Sequence, residues 1–355
     1  MTTRRRFLGG LLASGLVPTP SWADVGAPRF LSAARMPSGS FVLVGLQDDL
    51  SEAFRLPLPT RGHAAAAHPV RPEAVAFARR PGTYAIIVDC HTGDVLARLD
   101  APVGRHFYGH GCYSGEGHLL FTTENDYDNA SGVIGVWDVR DGYRRVGEFF
   151  SGGVGPHEIA LMPGAEMLVV ANGGIETHPE SGRVKLNIPM MRPNLCYCGF
   201  DGQVLDIAEP PLEMHRNSIR HLAVSGEGTV VFGMQWQGDR QEVVPLVGAH
   251  KRGSEMRFFA VETEVWRQMK GYVGSVAISP DGSQAAVTSP RGGVAAVFDV
   301  AAAKVMSVRP MEDVCGAAFA ARDFVFTTGN GVARFLDQGG QATSDLAFDN
   351  HLLRL

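Results

Sequence analysis

A motif recurring at whole-repeat spacing, strand-length apolar runs after every copy, and the lack of a helical period past residue 24 together predict an all-β fold. The architecture they fit is a seven-bladed β-propeller. Gly155-Pro156-His157-Glu158-Ile159-Ala160 aligns with Ile219-Arg220-His221-Leu222-Ala223-Val224 and with Val273-Gly274-Ser275-Val276-Ala277-Ile278. Arg61-Gly62-His63 and Tyr108-Gly109-His110 open two more copies, and Val314-Cys315-Gly316 opens a degenerate one.

Each opening is followed by the same succession. A first apolar run comes next, such as residues 167–171 or 323–327; a second ends in an Asp-containing turn, as at Asp89 before Thr92-Gly93 or Asp138 before Asp141-Gly142. A short edge-like run closes the unit, as at 95–99 and 304–308. Four short strands in roughly 40 to 50 residues is the signature of a propeller blade. The two ends complete the count. Residues 29–36, 40–46 and 53–58 read as the second, third and fourth strands of a blade whose innermost strand is missing. Asp349-Asn350-His351-Leu352-Leu353-Arg354-Leu355 supplies that strand, so the C-terminal strand joins the N-terminal blade and no sheet edge is left open.

The bulk numbers agree. The 355 residues are 45% hydrophobic and 19% charged, ordinary values for a chain with a large core. The 43 Gly and 21 Pro are spread along the chain, as many tight turns require. A net charge of −5 gives no basic footprint for nucleic acid. No apolar stretch after the N-terminus is long enough to span a membrane.

The N-terminus reads as an export signal. Thr3-Arg4-Arg5-Arg6-Phe7-Leu8 precedes an uncharged stretch from Gly9 to Val17, and Ser21-Trp22-Ala23 offers small residues to a signal peptidase. Paired arginines before Phe-Leu resemble the twin-arginine signal, although Gly9 stands where that pattern often has Lys. The expectation is residues 1–23 as a leader, 24–355 as one propeller domain, and a periplasmic mature protein without a membrane span.

Chemistry enters at the repeat openings. His351, His63, His110, His157 and His221 stand at the start of the innermost strands of blades one to five, with Ser275 and Gly316 in blades six and seven. Innermost strands line the central channel, so equivalent positions make one ring at one height, and a shared register aims the side chains alike. The chain has only 12 His, so five at this position are not scattered chance. A Gly-His within WD-type repeats instead bonds inside its own blade; the lack of a Trp-Asp partner at fixed offset in every blade disfavours that alternative. Neutral imidazoles are ligands for Zn, Cu, Fe and Ni, so the five are candidate metal ligands. Glu158, alternating away from His157, is placed to orient a neighbouring imidazole. Arg61, Arg105 and Arg220, with Arg216, lie near the same rim and are candidates to hold an anion or a carboxylate-bearing chelate.

Other features are weaker. Cys112, two residues past His110, either packs or lines the channel one layer deeper. Cys196-Tyr197-Cys198 puts two thiols on one strand face, a poor disulfide, and five cysteines cannot all pair within one chain. A long insertion over 171–193 carries Glu176, His178 and Met190-Met191, which either reach over the channel mouth or brace the blades. A second, 235–253, carries Trp236 and His250. Thr122-Thr123-Glu124-Asn125-Asp126-Tyr127-Asp128 is acidic without the spacing of a Ca²⁺ loop. Gly-x-Ser-x-Gly, Gly-Lys-Ser/Thr and His-Glu-x-x-His are all absent.

Gly153-Val154-Gly155-Pro156-His157-Glu158, Asn172-Gly173-Gly174-Ile175-Glu176-Thr177-His178-Pro179, Ser218-Ile219-Arg220-His221 and Asp349-Asn350-His351-Leu352, in that order, resemble a family of exported bacterial proteins known as domain of unknown function 1513. The resemblance spans essentially the whole mature chain. It implies a twin-arginine signal, a propeller, and company with periplasmic iron-uptake components of the imelysin type, and so iron or copper before zinc as the metal, met as an ion or a small metal chelate. A more distant similarity is to the propeller half of nitrous-oxide reductase, whose channel histidines hold a copper cluster; this chain has no separate copper domain and two fewer ring positions. The leading expectation is a metal-binding propeller in iron or copper acquisition or handling. The alternatives are a metal-dependent redox or hydrolytic enzyme on the same site, and a metal-free interaction platform.

Overall fold

The computed structural model describes residues 20–78, 83–182, 184–320 and 322–355, and most of the expected leader lies outside them. The described strands form seven antiparallel sheets in chain order around a ring. Blades two to seven each take four consecutive strands, as in Gly62–Ala67, Glu73–Ala78, Tyr84–Asp89 and Val95–Asp100 of blade two. Blade one is composite. Phe30–Arg35, Phe41–Leu46 and Glu52–Leu58 are its outer three strands, and the C-terminal segment pairs on the inner side of Phe30–Arg35. That inner strand is broken in two: Ala347–Phe348 pairs with Arg35 and Ala34, Leu353–Arg354 pairs with Leu31 and Phe30, and Asp349 to Leu352 bulge between them.

Blade-to-blade packing makes the core. The middle strands are apolar on both faces, as in Leu168, Val169, Val170 and Ala171, because each face meets a neighbouring sheet. Outermost strands meet water on one side, and Val95 and Leu96 are exposed. Leu352 and Phe348 of the closing segment pack with Phe30, Val44, Ala318 and Val325, joining blades one and seven. One element departs from the all-strand expectation: Thr263–Gln268 is a single-turn α-helix between blades five and six. Its Trp266 stacks on Phe298 with ring centroids 6.0 Å apart and fills the wedge between those blades. The segment Trp22–Val25 is a 3-10 turn, and the Trp22 indole donates to the carbonyl of His68 at 2.9 Å.

The strand course decides which residues share an end of the ring. First strands begin at one face, second strands end there, and third strands start from it again. Loops before first strands and loops between second and third strands therefore gather on the face where the histidines stand.

Candidate metal centre

Each innermost strand is interrupted where its histidine sits. The pairing register shifts between Gly62 and Ala65, between Phe107 and Gly111, between Pro156 and Glu158, and between Ile219 and His221. A bulge adds one residue against the partner strand, bends the backbone and re-aims the side chain. His63, His110 and His157 fall within these bulges, and His221 follows one directly. Gly109 shows the local need: its φ of +101° is one that an L side chain rarely adopts, and a Cβ there would lie 2.6 Å from His63 Cδ2. Side-chain hydrogen bonds then hold the backbone. Thr123 Oγ1 donates to the carbonyl of His110 at 3.1 Å, and Ser32 Oγ donates to that of His351 at 2.8 Å.

The five imidazoles meet at the axis. In order round the ring, His63, His110, His157, His221 and His351 have neighbouring centroids 4.9, 5.0, 4.8, 5.1 and 4.8 Å apart, the last closing back to His63. Distances across the ring are also short: His63 to His157 is 5.8 Å, His110 to His221 is 6.2 Å and His110 to His351 is 4.6 Å. A flat pentagon of that edge has longer diagonals, so the rings are staggered in height and His110 leans over the middle, near all four others. Two triads have ligand atoms within 4.8 Å of one another, His63–His110–His351 and His110–His157–His221, and His110 belongs to both.

Electrostatics keep three of the imidazoles neutral. Burial, then the neighbouring histidines, push His110 well below the ordinary imidazole value, and burial, then Arg220 and the neighbouring histidines, do the same to His157. Burial, then Arg220, lowers His221 to about 3. Among the described residues, both ring nitrogens of His110 and Nδ1 of His157 are buried without a hydrogen-bond partner. Buried polar atoms are normally satisfied, and a neutral imidazole offers one lone-pair nitrogen to an ion and one N–H to an acceptor, so His110 and His157 each have a nitrogen open to a ligand. The donor set therefore fits a metal ion: neutral nitrogens with lone pairs, crowded where water is scarce. His221 Nδ1 and Glu158 Oε2 are hydrogen-bonded at 3.1 Å, and the same oxygen accepts from the Leu222 amide at 3.2 Å. With Nδ1 engaged by Glu158, Nε2 is the nitrogen of His221 left for a ligand. Burial raises Glu158 to about 7.

The arginines separate. Arg220 lines the cavity of about 320 Å³ that opens onto His63, His157 and His221. Arg61 donates to Asp349 Oδ2 at 2.7 Å and lines a neighbouring cavity of about 420 Å³ with Asp313 and Cys315. Arg105 is bonded to Glu148 and lies 3.7 Å from Asp126 and 4.0 Å from Glu124, so three carboxylates take its charge. Arg216 is exposed and borders a separate groove with Met190 and Glu213.

Several lesser candidates have structural jobs. Cys112 packs with Cys196, Cys198 and Phe121 between blades three and four, off the channel, and all five thiols are free. His178 pairs with Asp128 at 3.3 Å and caps the 3-10 turn Pro179–Ser181, so it braces blade four against blade three; Met191 is buried and Met190 exposed. His250 is held by the Tyr197 hydroxyl at 2.7 Å. Glu124 is fully buried against Arg145 at 2.6 and 3.0 Å, which leaves no cation loop in that acidic run.

Sequence reasoning missed Lys185, Tyr108, Tyr272 and Arg291, which also line the histidine cavity. Lys185 and Arg291 lie between second and third strands, and that position in the blade is the signal that places them on the histidine face.

A comparison with curated proteins finds no match. Among solved structures, the chain is similar to one titled Kuenenia stuttgartiensis Hydrazine Synthase, at TM-score 0.64 and 11% identity over 92% of this chain and 99% of that chain. At that identity the likeness is one of fold. The family model described as Protein of unknown function (DUF1513) matches residues 56–355, from the outer strand of blade one to the closing segment. A match of that extent, over every blade, makes the chain a member of that family.

Proposed function

We propose that this propeller binds a transition-metal ion at the histidine ring and serves iron or copper acquisition or handling in the periplasm. The observation that carries the reading is the hub position of His110, with both nitrogens orphaned and four more imidazoles around it. His63, His110, His157, His221 and His351 would hold the ion, which when bound supplies a Lewis-acid or redox centre. Neutral nitrogen donors favour borderline ions such as Fe, Cu or Zn over Mg²⁺ or Ca²⁺. Glu158 fixes the tautomer of His221, and Thr123 and Ser32 fix the backbone beneath His110 and His351. Twin-arginine export, suggested by Arg4-Arg5-Arg6-Phe7-Leu8, and company with imelysin-type iron-uptake components belong to the same proposal.

The test is elemental analysis of protein exported by its own leader, with titration of the metal-free form. About one ion per chain is expected, and His110→Ala/His157→Ala protein should carry and take up none. Absence of metal in both experiments with the natural sequence would remove the proposal. A second reading, a metal-dependent redox or hydrolytic enzyme, is favoured by the cavity lined by His63, His157 and His221, which leaves room beside the imidazoles for a small molecule. Activity abolished by a chelator and restored by the ion separates it from simple binding.

A further inference from the structure

The protein is acidic overall, yet the histidine face carries a basic groove. Among the described residues, the cavity over the imidazoles is lined by the cations Lys185, Arg220 and Arg291 and by no carboxylate. Through Lys185, Gln235 and Arg291 it continues into an outer groove of about 920 Å³, which adds Arg240, Arg267 and Lys270 against a single acid, Glu242. Lys185, Arg240, the pair Arg267 and Lys270, and Arg291 come from four separate connections on the face where first strands begin, and Arg220 from the strand Asn217–Val224. Among the described residues, Lys185, Arg240, Lys270 and Arg291 form no ion pair, while Arg267 is paired with Glu264. Two of the four are nevertheless positioned. Lys185 donates to Gln237 Oε1, and the Arg291 guanidinium lies over the Tyr272 ring at 4.3 Å. Burial, followed by the charges of Arg220, Arg291 and Arg240, lowers the Lys185 ammonium, which shows how closely these cations are held together. Gathering like charges is unfavourable without a counter-charge, and guanidinium groups suit planar carboxylates.

We infer that this groove binds a small polycarboxylate anion on Lys185, Arg240 and Arg291, with Arg220 at the inner end, and so presents a carboxylate-chelated metal to the histidine ring. The second half of the inference rests on the proposed metal function; the anion site rests on the basic side chains alone. The groove is concave and narrows onto the imidazoles, which fits a compact chelate rather than an extended acidic chain.

Citrate is a suitable probe, titrated calorimetrically into the metal-free full-length protein and then repeated as its ferric complex. Citrate alone should bind the natural protein, weaken with added salt, and lose about tenfold or more in Lys185→Glu/Arg291→Glu protein. The neutral pair Arg240→Gln/Arg291→Gln, checked for an unchanged melting curve, should lose less in the same direction. His110→Ala/His157→Ala protein should bind the ferric complex no more tightly than citrate alone, where the natural protein binds it more tightly. Citrate binding that is absent, or equal in the charge-reversed protein, overturns the anion site. Tighter binding of a poly-glutamate peptide than of citrate overturns the small-molecule assignment. Intact citrate binding without any metal uptake leaves the groove standing and removes only the metal reading.

Discussion

His110 is the residue on which the site turns. It contacts every other imidazole of the ring, and its neighbours and its burial together forbid a charge there. The same feature gives the metal-free protein a pH dependence whose sign can be worked out. Unfolded, each imidazole takes a proton near pH 6.5; folded, His110 and His157 refuse it until far lower, and His221 until about 3. Below pH 6.5 the unfolded chain therefore binds more protons, and stability falls as pH falls. Glu158 works in the opposite sense, because its folded value of about 7 lies above its ordinary 4.5 and favours the folded state toward acid. Three imidazoles outweigh one carboxyl, each group changing stability by on the order of 1 kcal/mol per pH unit. Urea unfolding of the metal-free protein should show a steep loss between pH 7 and 5. A flat profile would mean that these imidazoles titrate normally and are not buried at the axis.

At the scale of the strand, the bulges decide where the histidines point. Gly109→Ala puts a methyl group 2.6 Å from His63 Cδ2 on a backbone already at φ +101°. Strain of this kind costs about 1–3 kcal/mol, and thermal melting with a parallel metal titration should show both stability and uptake reduced. Gly142→Ala is the control: φ is +61° with no atom within 4 Å of the added carbon, so only the backbone cost of about 1 kcal/mol applies and uptake is unaffected. The ring itself was legible in the amino-acid sequence because His63, His110, His157 and His221 recur at one place in successive repeats, and a repeat converts chain distance into angular position. The bulges were not, since nothing but Gly62, Gly109 and Pro156 hints at them. Arg105 misled because its carboxylate partners sit on other strands, Glu148 three strands away, and no local spacing reveals them. Lys185 escaped because the path of a long insertion depends on what it packs against. Six residues of Thr263–Gln268 are too few to show a helical period.

For the whole molecule, closure is the weak point, because it relies on two short strands at the C-terminal end. Leu352 is buried among Phe30, Ala318 and Phe348, and its backbone and Cβ lie 2.8 Å from where a side chain on Gly316 would start. Leu352→Ala should cost about 2–4 kcal/mol and weaken metal uptake through its neighbour His351, as read by melting temperature and metal titration. Loss of stability with unchanged uptake would show that His351 is dispensable to the site. The closing segment has a further consequence. It brings one imidazole to the axis while blades two to five bring the other four, so whatever all five grip fastens the two ends of the chain's circuit like a rivet through overlapping plates. Opening at that seam is the natural first step of unravelling, and an ion held as proposed would have to leave before it could proceed. Under the proposed metal function, occupancy would set how long the molecule endures, over and above how stable it is.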